Sequence, residues 1–154
     1  MDIQPTFILP LIAEIEVSYI PKHKPYTGSV NTTADMAAFL KSIYRTSAFQ
    51  LFESFYCVYI NRANRVLGVA EISKGGITGT VADPRIILGI ALKAGATSIV
   101  LSHNHPSGNL KPSKADEVMT QKIKQAAAFM DIVILDHIIL SIEGFFSFAV
   151  EGLL

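Results

Sequence analysis

Residues 98–116 read Ser-Ile-Val-Leu-Ser-His-Asn-His-Pro-Ser-Gly-Asn-Leu-Lys-Pro-Ser-Lys-Ala-Asp. The opening run, centred on Ile99, Val100 and Leu101, is short, apolar and β-branched, which predicts a buried strand over Ser98–Ser102. Pro106, Gly108 and Pro112 then mark a loop. Pro112-Ser113 opens the strongest helical pattern of the chain, in which Val118, Met119, Ile123, Ala126, Ala127 and Met130 make one apolar stripe. Strand, loop and amphipathic helix in that order indicate a mixed α/β domain.

The flanks extend that pattern. Upstream, Asp83-Pro84 is an N-cap followed by proline at the first helical position, and Ile86, Ile87, Ile90, Ala91 and Ala94 carry a helix that closes near Gly95. Phe55–Ile60 and Val66–Ile72 are apolar runs separated by a polar segment of hairpin-loop length, hence an antiparallel pair. An earlier helix, with Thr33 as N-cap, is predicted from Met36, Phe39, Leu40, Ile43 and Tyr44 and runs to Arg45. Imperfect alternation over Ile12–Ile20 predicts a strand, followed by a loop to Val30. Downstream, Ile132–Leu135, Ile138–Ile142 and Phe145–Val150 read as closing strands. The expected class is α/β (α+β), a single mixed sheet flanked by about three helices. One domain over 1–154 is expected, with its core over 33–151 and an N-terminal strand and loop over 1–32.

Composition narrows the function. Half of the 154 residues are apolar, 13 Lys and Arg balance 13 Asp and Glu, and the charged fraction is 17%, too low for a charge-rich disordered segment. Zero formal net charge removes the long-range positive field on which non-specific DNA binding relies, so nucleic acid is a disfavoured partner, admitted only through a local basic patch. The apolar stretch Ile3–Ala13 is broken by Pro5 and Pro10 and reads as neither signal peptide nor membrane span. Cys57 is alone, so no intrachain disulfide forms and a cytoplasmic location is expected; no neighbouring positive charge activates it, and it reads as a buried structural thiol. The low charged fraction is compatible with an apolar surface that supports a homodimer. Lys74–Thr80 is glycine-rich but lacks the Gly-Lys-Ser/Thr of a phosphate loop, so it reads as a turn.

The chemistry concentrates between Ser102 and Asp116. His103 and His105 lie one residue apart at the end of a strand, so period-2 alternation points both imidazoles to one face and Asn104 to the other. Two convergent neutral imidazoles suit zinc. Asp116 follows across the loop in the first turn of the helix, from where its carboxylate can fold back beside them. Three protein ligands and one open position describe a catalytic rather than a structural zinc site. The plainer account of Ser113-x-x-Asp116 is a capping box, and the two accounts are compatible. His137, at the start of an expected strand, is either a pocket residue or a structural histidine. Lys111, Lys114, Lys122 and Lys124 are interrupted by Asp116, Glu117 and Asp131 and read as a solvated face.

His-x-His, seven residues, Ser113, two residues and Asp116 together resemble the metal-binding signature of the JAMM (JAB/MPN) metalloprotease family. Ser102–Gly108, Pro112-Ser113-x-x-Asp116 and Leu135-Asp136-His137-Ile138-Ile139 resemble its RadC branch, across roughly Thr33 to Glu151. The resemblance implies a JAB/MPN, cytidine-deaminase-like architecture. It also implies zinc held by His103, His105 and Asp116, with a water as fourth ligand, and a Ser113 hydroxyl that bonds the developing oxyanion or orients the water. The family's general base is a glutamate after the first helix, where a central strand begins. Glu53 matches that order, and Glu71 in the partner strand is the competing carboxylate.

The function implied is a zinc-dependent hydrolase acting on a peptide or isopeptide substrate. A DNA repair or recombination accessory and a non-catalytic interaction module are the alternatives. Longer RadC-like chains carry a helix-hairpin-helix-like region ahead of this domain, for which 154 residues leave no room, and this weighs against an inherited DNA-binding role.

Overall fold

A computed structural model describes residues 30–44, 49–75 and 81–154; the strand expected over residues 12–20 and most of the glycine-rich segment lie outside them. The first helix, α1 (Thr33–Ile43), is capped one residue earlier than expected. The Thr32 hydroxyl accepts the Asp35 N–H at 3.1 Å, and the Asp35 carboxylate accepts the Thr32 N–H at 3.1 Å. Only the residue three before the acid can close this reciprocal pair, which is why Thr32 displaces Thr33. β1 (Ser54–Ile60) and β2 (Val66–Lys74) pair antiparallel. In α2 (Pro84–Ala94), Asp83 accepts the Arg85 N–H and Gly95 ends the helix at φ 67°, a left-handed conformation that glycine adopts without strain.

The chain continues through β3 (Ser98–Asn104), α3 (Lys114–Ala128), β4 (Val133–Leu140) and β5 (Phe145–Ser147). The sheet order is β2-β1-β3-β4-β5. β3 and β4 are parallel and joined through α3, while the other neighbouring pairs are antiparallel. Every residue of β1 is buried, because helices cover both faces. On one face Ile87, Leu88 and Ala91 of α2 and Ile123 and Ala127 of α3 pack on Phe55, Cys57, Tyr59, Ile99 and Leu101. On the other, Met36, Ala37 and Leu40 of α1 pack on Tyr56, Val58, Val100, Ile138 and Leu140. Cys57 is fully buried, and burial pushes its thiol pKa up. No helix among the described residues is long and apolar enough to cross a membrane.

Three expectations change. Val118 and Met130 are 59% and 43% exposed; the inward stripe of α3 is Asp116, Thr120, Ile123 and Ala127, so its first two members are polar. The strands expected over Ile132–Leu135 and Ile138–Ile142 are one strand, β4, passing straight through Asp136 and His137. A bulge permits this: Ile99 faces Ile134 but Val100 faces Asp136, and Leu135 bows outward. Asp136 is buried yet satisfied, accepting from His137 N (2.7 Å), Ala149 N (3.0 Å) and Ser147 Oγ (2.6 Å). The last strand stops at Ser147, and residues 148–152 form turns, with the Phe148 N–H still donating to the His137 carbonyl of β4.

We expect Ile123→Ala to destabilise the protein by about 2–5 kcal/mol through the cavity left between α3 and the sheet. Val118→Ala, on the exposed face, is expected to stay within about 0.5 kcal/mol. Urea midpoints of the two variants measure the difference.

Candidate metal centre

β3 ends by delivering His103 to the α2/α3 side of the sheet, where it is fully buried and stacks on Phe55 (ring centroids 6.0 Å apart, planes within 6°). His105 lies one residue past the strand, held because its N–H donates to the Leu140 carbonyl at 2.8 Å, extending the β3–β4 pairing. Asp116 enters from the first turn of α3, whose partial positive N-terminus favours a carboxylate there. His103 Nε2 is 2.9 Å from His105 Nε2 and 3.5 Å from Asp116 Oδ1, and His105 Nε2 is 3.9 Å from Asp116 Oδ2. Tetrahedral ligation with bonds of about 2.1 Å spaces its donor atoms by about 3.4 Å, so these separations bracket what zinc requires. His105 donates from Nδ1 to the Asn109 carbonyl, leaving the Nε2 lone pair for the site. The side chains of His105 and Asp116 retain 15% and 12% exposure, so the cluster opens to solvent on one side.

The capping box is also present. Ser113 Oγ accepts the Asp116 N–H at 3.2 Å and donates to Asp116 Oδ2 at 2.6 Å, while the Ser113 N–H reaches the same oxygen at 2.7 Å. Oδ2 thus holds the helix start and Oδ1 faces His103, so the cap leaves one carboxylate oxygen turned toward the histidines. The Ser113 hydroxyl proton is committed to Asp116, and any contact with a reacting group requires it to rotate away.

His137 is fully buried beneath the cluster, its Nε2 2.8 Å from His103 Nδ1 and its Nδ1 2.6 Å from Thr120 Oγ1. Phe148 stacks on it at 4.7 Å. Sequence reasoning left the role of His137 open and missed Thr120. The available signal was spacing: Thr120 is four residues after Asp116 and therefore on the same helix face.

Asn104 points to the opposite face and ties down the segment that carries Glu53. Its Oδ1 accepts the Ser54 N–H at 2.8 Å, and its Nδ2 donates to the carbonyls of Phe49 (2.7 Å) and Phe52 (2.9 Å). Glu53 is half-buried just before β1, its carbonyl accepting the Gly75 N–H at 2.8 Å. Phe55 faces His103 in the β1–β3 register; Glu53 and His105 each lie just beyond the strands so paired, and the pKa of the Tyr44 hydroxyl is pushed up by burial and, in smaller part, by the Glu53 charge. Glu71 faces Tyr56 in β2 and lines a cavity with Tyr44 and Phe49, on the α1 side of the sheet. The sheet itself separates Glu71 from the histidines.

Burial lowers the His103 pKa from 6.5 to about 4, and burial beside two other imidazoles holds His137 well below its usual value. Both rings are neutral in the folded protein at pH 7. Below about pH 6.5 the unfolded chain therefore takes up protons that the folded chain refuses. Stability of the metal-free protein should fall as the pH drops from 6.5 toward 4, by about 1.4 kcal/mol per pH unit for each such histidine. Asp136, whose carboxyl pKa burial raises, opposes the fall at the acid end. Urea titrations in chelator at pH 7 and pH 5 read the slope. Asn104→Ala leaves the Ser54 N–H and two carbonyls without their partner and should cost about 1–3 kcal/mol, measurable as a lowered urea midpoint at pH 7.

Comparison with known sequences follows the same outline. A sequence profile of the RadC-like JAB domain matches residues 30–153. The UPF0758 protein of Flavobacterium johnsoniae is 46% identical over 101 residues, covering 66% of this chain and 44% of that protein. Those of Nitrosococcus oceani and Thiobacillus denitrificans are 46% identical over 103 residues and 37% over 124, covering 67% and 80% of this chain and 46% and 54% of theirs. The chain spans about half the length of the curated relatives it matches. The profile takes in α1, the five-stranded mixed sheet and the cluster of His103, His105 and Asp116, and the chain belongs to the RadC-like JAB domain family.

Proposed function

We propose that this chain is a zinc-dependent hydrolase of the JAMM type that cleaves a peptide or isopeptide bond. The observation that carries the reading is the donor set, two imidazole Nε2 atoms and one carboxylate within 4.8 Å of one another, converging from β3 and the start of α3 with one side open. His103, His105 and Asp116 would hold the metal. Zinc bound there would act as a Lewis acid and lower the pKa of water toward about 7. Glu53 would take a proton from the attacking water and return it to the leaving amine nitrogen, as the C–N bond breaks and the new C–O bond forms. Its place immediately before β1, whose Phe55 pairs with His103, supports that assignment, while Glu71 lies on the other face of the sheet. Ser113, at the N-cap of α3, would turn its hydroxyl from Asp116 toward the developing oxyanion, in the partial positive field of the helix end.

The test starts with metal content per chain by inductively coupled plasma mass spectrometry. Wild type is expected to hold near-stoichiometric zinc, and His103→Ala and Asp116→Ala to lose it. Glu53→Gln should keep its zinc and cleave peptide or isopeptide substrates about 100- to 10,000-fold more slowly. A wild-type protein that takes up no zinc on reconstitution, or a Glu53→Gln variant at the wild-type rate, would sink the reading.

A further inference from the structure

Beneath the candidate ligands runs a chain of buried polar atoms whose hydrogen-bond polarity is determined at one end. Thr120 Oγ1 lies 2.6 Å from the Asp116 main-chain carbonyl, four residues back in α3, and 2.6 Å from His137 Nδ1. A carbonyl oxygen only accepts, so the single hydroxyl proton of Thr120 goes to Asp116. Toward His137 the hydroxyl can then only accept, which places a proton on His137 Nδ1. The Nε2 of a neutral His137 is consequently a lone pair, and it accepts from His103 Nδ1 at 2.8 Å. His103, neutral in turn, is left with its lone pair on Nε2, the atom facing Asp116 Oδ1 and His105. His137 is fully buried and both its ring nitrogens meet neutral partners, so a charge on it would go uncompensated and the ring stays neutral.

We propose that Thr120 and His137 are positioning residues that lock His103 in its Nδ1–H tautomer, so that its Nε2 lone pair is presented to the metal. The inference deepens the zinc reading and rests on it. Asp116 then serves the site twice, through its carboxylate as a ligand and through its carbonyl as the anchor that orients another ligand. His105 reaches the same tautomer through the Asn109 carbonyl. Both Nε2 lone pairs therefore converge 2.9 Å apart, an arrangement that repels itself unless a cation is shared between them.

The full chain, labelled with 15N in histidine and stripped of metal by chelator, tests the relay at pH 8 through long-range 1H–15N correlations of the imidazole rings. The expected result is His137 protonated at Nδ1 and bare at Nε2, with His103 protonated at Nδ1. Thr120→Val should move part of the His137 population to the Nε2–H form and weaken zinc binding about 10- to 100-fold in chelator competition. Thr120→Ser, which keeps the hydroxyl, should restore both. A His137 proton on Nε2 in wild type overturns the proposal, as does a Thr120→Val variant with wild-type tautomers and zinc affinity. The zinc reading fails separately: wild type with the expected tautomers but no zinc uptake overturns that reading, and with it the purpose assigned to the lock.

Discussion

Side-chain alternation at the end of β3 governs the rest of the structure around the site. Successive residues of a strand face opposite sides, so His103 and His105 go to the α2/α3 side and Asn104 to the α1 side. The histidines form two corners of the donor set. Asn104, between them, spends its amide on Phe49, Phe52 and Ser54 and so fastens the segment that carries Glu53 to the same strand end. A one-residue slip in the β1–β3 pairing would exchange these faces and dismantle both halves together. That register is held by an apolar ladder, with Cys57, Val58 and Tyr59 opposite Leu101, Val100 and Ile99.

The third corner depends on the parallel step from β3 through α3 to β4. A parallel crossover brings the N-terminus of its helix to the carboxyl ends of the strands, where open α/β sheets place their ligand crevices. Here it delivers a capped helix start whose carboxylate faces two imidazoles. The cost is a polar interior. His103, Thr120, Asp136 and His137 are all buried, and each unsatisfied atom there would cost about 1–3 kcal/mol. The network from the Asp116 carbonyl to His103 Nδ1, together with the donors around Asp136, gives each of these atoms a partner. Phe55 and Phe148 seal it by stacking on the two buried imidazoles.

This interior also explains where pattern reading and structure part. Val118 and Met130 belong to the apolar count of α3 but not to its inward face, because the first two turns of that face carry the polar residues Asp116 and Thr120. The break expected between Leu135 and Ile138 likewise came from two polar residues. A buried aspartate with three donors and a histidine bonded on both sides are compatible with an unbroken strand. In both places tertiary partners offset a polarity that a local pattern counts as exposure.

The local content of the sequence determined a great deal: the hairpin of β1 and β2, the Asp83-Pro84 start and Gly95 end of α2, the strand before His103 and the helix after Ser113. Each is set by contacts within a few residues, such as a cap, a turn or a run of β-branched side chains. The ligand candidates were legible for the same reason, since two histidines at a period-2 spacing share a face whatever lies around them. What only the tertiary structure decided are the pairings between distant segments: the face on which Glu71 lies, the reach of Asn104 to Phe49, and the path from Thr120 to His103 by way of His137. These partners lie 17 to 55 residues apart in the chain. They meet because burying both faces of the sheet admits one register and one helix placement, a condition that no local window contains.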